Sequence, residues 1–163
     1  MKKFAIGLAA LSAAVPASAE TLWQDIELGM PAEKVKALYA GQRIEARQDR
    51  TIVKGFKLIE QCKADIEVRH PGGRVDAVVL KGEPAILGQC GAAVLQVMSE
   101  QLGPPVSAVT SRPSLLKRER TTVVWVQGDK VLRFVRYSTD GPGGAGLGAP
   151  SWTLNVTVKA PTA

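Results

Sequence analysis

The residues of this chain whose types and spacing could do chemistry are few. Gly141, Gly143 and Gly146, in DGPGGAGLGAP, have the G-x-G-x-x-G spacing of a dinucleotide-binding turn. Such a turn works because a strand enters it and a helix leaves it, aiming free amides and a positive dipole end at the pyrophosphate. Here a strand pattern over Lys130 to Tyr137 leads through the glycines into a second one over Trp152 to Val158, and Pro150 removes an amide. No Lys-Ser or Lys-Thr pair follows, so the segment reads as a long hairpin loop and no nucleotide cofactor is expected. Whether Gly141 to Gly148 closes on a ligand stays open.

His70 is the sole histidine and stands before Pro71-Gly72-Gly73. One turn histidine supplies neither the convergent ligands of a zinc site nor the oriented base of a hydrolase, so it reads as a solvated turn residue and no metal is expected. Any two of Glu60, Asp65, Glu67 and Asp76 could meet as a glycosidase-type carboxylate pair. Asp65 and Glu67, however, fall on the polar face of an alternating strand, where charge serves solubility. No catalytic residue is assigned.

Cys62 and Cys90 are the only cysteines. Their reading depends on compartment, and the first residues address it. In MKKFAIGLAALSAAVPASAE, Lys2 and Lys3 precede an apolar run from Phe4 to Val15 and a small-x-small site at Ala17-Ser18-Ala19. This is the pattern of a secretory signal peptide over residues 1–19, cleaved after Ala19, and places the mature chain in the periplasm or outside the cell. An oxidising compartment makes a Cys62–Cys90 disulfide the expectation. By chain entropy, closing that 29-residue loop contributes about 3.5 kcal/mol. The competing reading is a reactive thiol at Cys90, just ahead of a helix. No apolar stretch is long enough to cross a membrane.

The elements that must position these residues follow from period. In GMPAEKVKALYAG, Pro31 suits the first helical position, Glu33 the first turn, and Val35, Leu38 and Tyr39 form one stripe before Gly41. A second helix, GAAVLQVMSEQLGPP, puts Val94, Leu95, Met98 and Leu102 on one face and stops at Gly103-Pro104-Pro105. After the first helix, Ala64, Ile66 and Val68 alternate with polar residues, then turn at His70 to Gly73 into Val75, Ala77 and Val79. After the second, Thr121 to Gln127 and Lys130 to Tyr137 flank the two-residue turn Gly128-Asp129. The final strand alternates Trp152, Leu154, Val156 and Val158 with Thr153, Asn155 and Thr157. These patterns predict an α+β fold of two helix-plus-hairpin units, an antiparallel sheet with two short helices packed on one face. Residues 20–163 form one domain, readable as two degenerate repeats over about 22–84 and 85–158.

Charge is uneven. Glu20 to Pro84 holds 11 acidic and 11 basic residues, and Ala85 to Ala163 holds 4 and 8. The excess gathers in Arg112, Lys117, Arg118, Arg120, Lys130, Arg133 and Arg136, against Glu119 and Asp129. Such density attracts acidic protein surfaces, anionic lipid or polyanions, and export argues against nucleic acid. If Val124, Val126, Leu132 and Phe134 face the helices, then Trp125, Arg133 and Tyr137 face the other way, with side chains favoured at binding hot spots. The alternative is that a second layer covers them as ordinary core.

WQDIELGMPAEKVKALYAG, the hairpin from Ala64 to Leu80, the helix end LGPP and TTVVWVQGDKVLRF together resemble small exported bacterial proteins of one superfamily. Its members include the β-lactamase inhibitory protein and the small lipoprotein of the outer-membrane barrel-assembly machinery. The resemblance spans most of Leu22 to Val158 and implies tandem helix-plus-hairpin units with helices on one side of an antiparallel sheet. The chain departs from it in having no lipoprotein cysteine after the cleavage site and only 5% aromatic residues. The expected function is non-catalytic: a periplasmic binding protein that holds another envelope protein or an anionic envelope component. Trp125, Arg133 and Tyr137 would make contact and Lys117, Arg118 and Arg120 would steer. The alternatives are a small secreted hydrolase, a thiol-dependent enzyme, or a secreted enzyme inhibitor.

Overall fold

The computed structural model describes residues 20–60, 62–82, 89–112, 119–137 and 151–159. Residues 1–19, read from the sequence as a signal peptide, Lys117, Arg118 and the stretch Gly141 to Gly148 lie outside them. Two very short strands, β1 (Thr21–Trp23) and β2 (Ile26–Glu27), open the chain as a small hairpin that buries Leu22 and Ile26. The first helix, α1 (Ala32–Leu38), starts after an extended Pro31, and Glu33 in its first turn pairs with Lys36 at 2.7 Å. Val35 and Tyr39 are buried, whereas Leu38, expected on the same stripe, is 45% exposed.

Four strands follow α1 as a meander: β3 (Ile44–Ala46), β4 (Arg50–Ile59), β5 (Cys62–Arg69) and β6 (Ala77–Gly82). The chain then forms α2 (Gln89–Leu102), ended at Gly103, whose positive φ of 75° lets its N–H bond to the Ser99 carbonyl at 3.0 Å. A second meander follows: β7 (Ser107–Ser111), β8 (Arg120–Gln127), β9 (Lys130–Tyr137) and β10 (Trp152–Val158). All eight join in one sheet of order β3-β4-β5-β6-β10-β9-β8-β7. The last strands of the two meanders thus pair antiparallel at the centre, Leu80 opposite Leu154 and Val78 opposite Val156. The fold is α+β and mostly strand.

Strand equivalence between the halves differs from the expected one. By topology β5–β6 corresponds to β9–β10, so the two hairpins read from the sequence are out of phase by one strand. The phase was lost because β3, β4 and β7 carry no clean alternation. β4 in particular is bulged between Val53 and Phe56, where Gly55 takes φ 62° and its N–H donates to the Asp65 carboxylate at 3.0 Å.

Both helices pack on one face, over a single core that joins Val35 and Tyr39 to Val53 and Ile66, and Val94 and Met98 to Leu80, Phe134 and Leu154. Tyr39 meets Phe56 edge-on at 5.9 Å, and Phe134 stacks on Trp152 at 5.8 Å. Trp152 fixes the α2 approach. A Cβ on Gly82 would run into its indole, and one on Gly91 would crowd both that indole and the Arg136 stem. The Cys62–Cys90 disulfide, with Cα atoms 5.5 Å apart, ties the first turn of α2 to β5. The oxidised pair leaves no thiol, which removes the reactive Cys90 reading. Among the described residues no helix is long and apolar enough to cross a membrane.

Candidate binding surface

The face of the sheet away from the helices carries the polar residues, and its side chains follow from register. On β8 and β9 the turn at Gly128-Asp129 pairs Gln127 with Lys130, and the ladder continues with Val126 opposite Val131, Trp125 opposite Leu132 and Val123 opposite Phe134. Residues directly opposite point to the same side. Trp125 therefore shares the helix side with Leu132 and Phe134, and the expected outward placement is corrected. It is 1% exposed, and its indole N–H donates to the Gly103 carbonyl at 3.0 Å, tying β8 to the end of α2. The same rule puts Val124, Val126, Val131, Arg133, Val135 and Tyr137 on the outer side, with Arg120 opposite Tyr137. Arg133 is exposed, and Arg120 and Tyr137 are half-buried.

This outer side is not uniformly wet, as simple alternation implied. In β6, Val78 and Leu80 face the helices, while Ala77 and Val79 lie on the outer side and are nonetheless buried. Val135 on β9 and Glu67 on β5 are also buried there. Central strands in a wide sheet lose solvent to the long side chains of their neighbours, so both of their faces read as apolar.

Glu67 organises the N-terminal strands. Its carboxylate, 2% exposed, accepts from Lys81 Nζ at 2.6 Å and Arg69 Nε at 3.0 Å, with Arg50 at 3.6 Å. Burial alone would raise its pKa. The hydrogen bonds from Lys81 and Arg69, with their charges, outweigh burial and hold it below the ordinary carboxylate value. Around it, Lys54 bonds Asp65 at 2.9 Å and Arg50 bonds Asp49 at 2.8 Å. Glu67 is thus an ionised, fully engaged acceptor, unsuited to donate a proton as a glycosidase acid must. His70 is not solvated: it is 2% exposed, its Nε2 lies 3.0 Å from the hydroxyl of the buried Thr51, and its backbone N–H bonds the Asp49 carbonyl.

The C-terminal strands contrast with this. β7, β8, β9 and β10 contain no Asp or Glu. Among the described residues, neither Arg120 nor Arg133 has a carboxylate within 4 Å; the pair Arg112–Glu119, at 3.9 Å, is the ion pair of this half. The Nε of Arg120 is buried and has no acceptor among the described residues. Beside Arg120 runs β7, the edge of the sheet. All its residues are exposed, none is charged, and Val109 stands 57% exposed, with Val106 just before the strand at 65%. Edge strands ordinarily carry charge, proline or a bulge that blocks pairing with another chain. β7 carries none, whereas the opposite edge, β3, is three residues long and bears Glu45.

The structure therefore brings Arg120, Arg133 and Tyr137 to one side and removes Trp125 from it. The β7 edge was missed. Its signal in the sequence is the uncharged, β-branched run Val106 to Thr110 directly after Pro104-Pro105. The chain matches no family model, no curated protein and no solved structure.

Proposed function

We propose that the protein is a non-catalytic binding protein of the cell envelope that captures another envelope protein by an extended, acidic segment. The segment adds as a strand to β7, and its carboxylates engage Arg120 and Arg133. The observation that carries this reading is an unprotected edge strand with Arg120 on the strand beside it and Arg133 one strand further in, neither with a carboxylate within 4 Å among the described residues. Strand addition supplies affinity through backbone hydrogen bonds, and Arg–carboxylate forks supply selectivity. Tyr137, opposite Arg120, offers an aromatic flank to the same segment. Lys117 and Arg118, adjacent in sequence, add steering charge. The resemblance to exported tandem-repeat binding proteins and the signal-peptide pattern point to the same class and to the periplasm.

The test is site-specific photo-crosslinking from position 109 in periplasmic extract, with the cross-linked segment identified by mass spectrometry. The reading expects one dominant segment rich in Asp or Glu, reduced at least tenfold by the double variant Arg120→Glu, Arg133→Glu and weakened by raised salt. Cross-links that scatter over many proteins and ignore charge reversal would refute it. Binding to phosphatidylglycerol vesicles, lost with the same double variant, would reassign the arginines to anionic lipid.

A further inference from the structure

The register across β9, β8 and β7 sorts the outer side of the sheet near the β7 edge into three rows. Arg120 is followed by Ser111, Thr122 by Val109, and Arg133 by Val124 and then Ser107. Beyond Ser111, Val109 and Ser107 the sheet ends. Ala108 and Thr110 alternate with these three on the helix side, where Thr110 meets Thr121 hydroxyl to hydroxyl at 3.3 Å.

Side-chain size at the edge follows the charge behind it. On both rows that hold an arginine the edge residue is a serine, small enough to leave the path from guanidinium to edge open. On the middle row, behind which stands the short and neutral Thr122, the edge residue is Val109, 57% exposed. A chain added beside β7 presents every second residue to these rows. Its residue on the first row lies two strand spacings from Arg120, about 9.6 Å, and its residue on the third lies three spacings from Arg133, about 14 Å. An extended arginine and an extended glutamate bridge the first gap with ease and the second at full stretch. Aspartate, one methylene shorter, serves Arg120 alone.

We propose that the segment captured at β7 carries the pattern Glu-x-Φ-x-Glu, with Φ an aliphatic residue. The outer glutamates take the Arg120 and Arg133 rows, and Φ packs on Val109. The pattern reads the same in both directions, so it holds for parallel and antiparallel addition. Glu45 and Asp49 are the only acidic residues of this chain four apart, and Arg47 stands between them, so a second copy does not supply the segment. The partner is a different protein. This pattern specifies the occupant of the β7 edge and rests on the capture of an acidic segment proposed for it.

Fluorescence anisotropy of the oxidised mature protein with three labelled heptapeptides tests the pattern. The first has glutamate at its second and sixth positions, valine at the fourth and threonine elsewhere. The second moves the glutamates to the third and fifth positions, which keeps composition and charge and turns them away from the valine face. The third replaces the glutamates of the first by glutamine. The first peptide is expected to bind about tenfold tighter than the second, and the third weakest. Arg120→Gln should weaken the first peptide about fivefold and leave the third unchanged. Ser111→Phe, at an exposed edge position, blocks the path from Arg120 and should narrow the gap between the first and third peptides; it decides alone if Arg120→Gln fails to fold. Equal binding of the first two peptides, both tighter than the third, overturns the pattern and leaves acidic capture standing. Equal binding of all three, or of none, overturns acidic capture as well. A preference for the first peptide that neither variant alters overturns the row assigned to Arg120.

Discussion

The two halves of the sheet share one plan, a helix followed by a four-stranded meander, and use charge in opposite ways. On β3 to β6 every acidic side chain of the outer face is met by a cation, and Glu67 collects three. On β7 to β10 the outer-face arginines Arg120 and Arg133 have no acidic partner among the described residues. The first arrangement satisfies itself and consolidates the fold. The second is the half on which the proposed acidic segment would dock. The same topology therefore yields one half whose outer-face carboxylates are paired within the fold and one half whose outer-face arginines have no acidic partner among the described residues.

The comparison can be broken or sharpened by substitution. The largest effect belongs to Trp125→Ala, which should cost about 3–5 kcal/mol in denaturant unfolding, because the indole fills the core of the C-terminal half. A shift near zero would return Trp125 to the surface and undo the register argument. Replacing both Cys62 and Cys90 by Ala should cost about 3.5 kcal/mol, read in the same way against the oxidised protein.

Glu67→Gln should cost about 2 kcal/mol near neutral pH, since it strips charge from hydrogen bonds to Lys81 and Arg69. Its pH dependence has a definite sign. Because the folded pKa of Glu67 lies below its ordinary value of 4.5, the carboxylate binds protons more readily when unfolded. Its contribution is complete above that value and is lost as pH falls through the folded pKa. The stability gap between wild type and Glu67→Gln should therefore stay constant from pH 7 to about pH 5 and shrink in acid. The smallest effect is Arg133→Glu, expected within about 0.5 kcal/mol of wild type, since that side chain is exposed and has no acidic partner among the described residues. If it destabilised as much as Glu67→Gln, the arginine would be structural and the contrast between halves would fail.

Much of this organisation is written locally. Helix ends at Gly41 and Gly103, the turn at Gly128-Asp129 and the alternation of β10 are short-range signals, and the α+β class follows from them. The inward face of β8 was also within reach: a two-residue turn after Gln127 forces Trp125 opposite Leu132, and counting across that turn locates the tryptophan in the core. Other features depend on distant partners. The bulge at Gly55 breaks the period of β4. β6 is apolar on both sides because it sits at the centre of an eight-stranded sheet, a position no local window reveals. His70 meets Thr51 across 19 residues, and Glu67 gathers cations from β4, β5 and β6. Of the proposed contact residues, the outward placement of Arg133 and Tyr137 was legible by alternation; the β7 edge announced itself only by the uncharged run Val106 to Thr110, because uniform exposure leaves no alternation to read.

The seam between β6 and β10 carries a further consequence for how such a chain matures. Until Trp152 to Val158 has been synthesised, β6 has nothing along one side, and a strand apolar on both surfaces with open amides is a template for self-association. A nascent or truncated chain ending before β10 would therefore join to a second copy of itself through β6, and completion of the chain is what caps it.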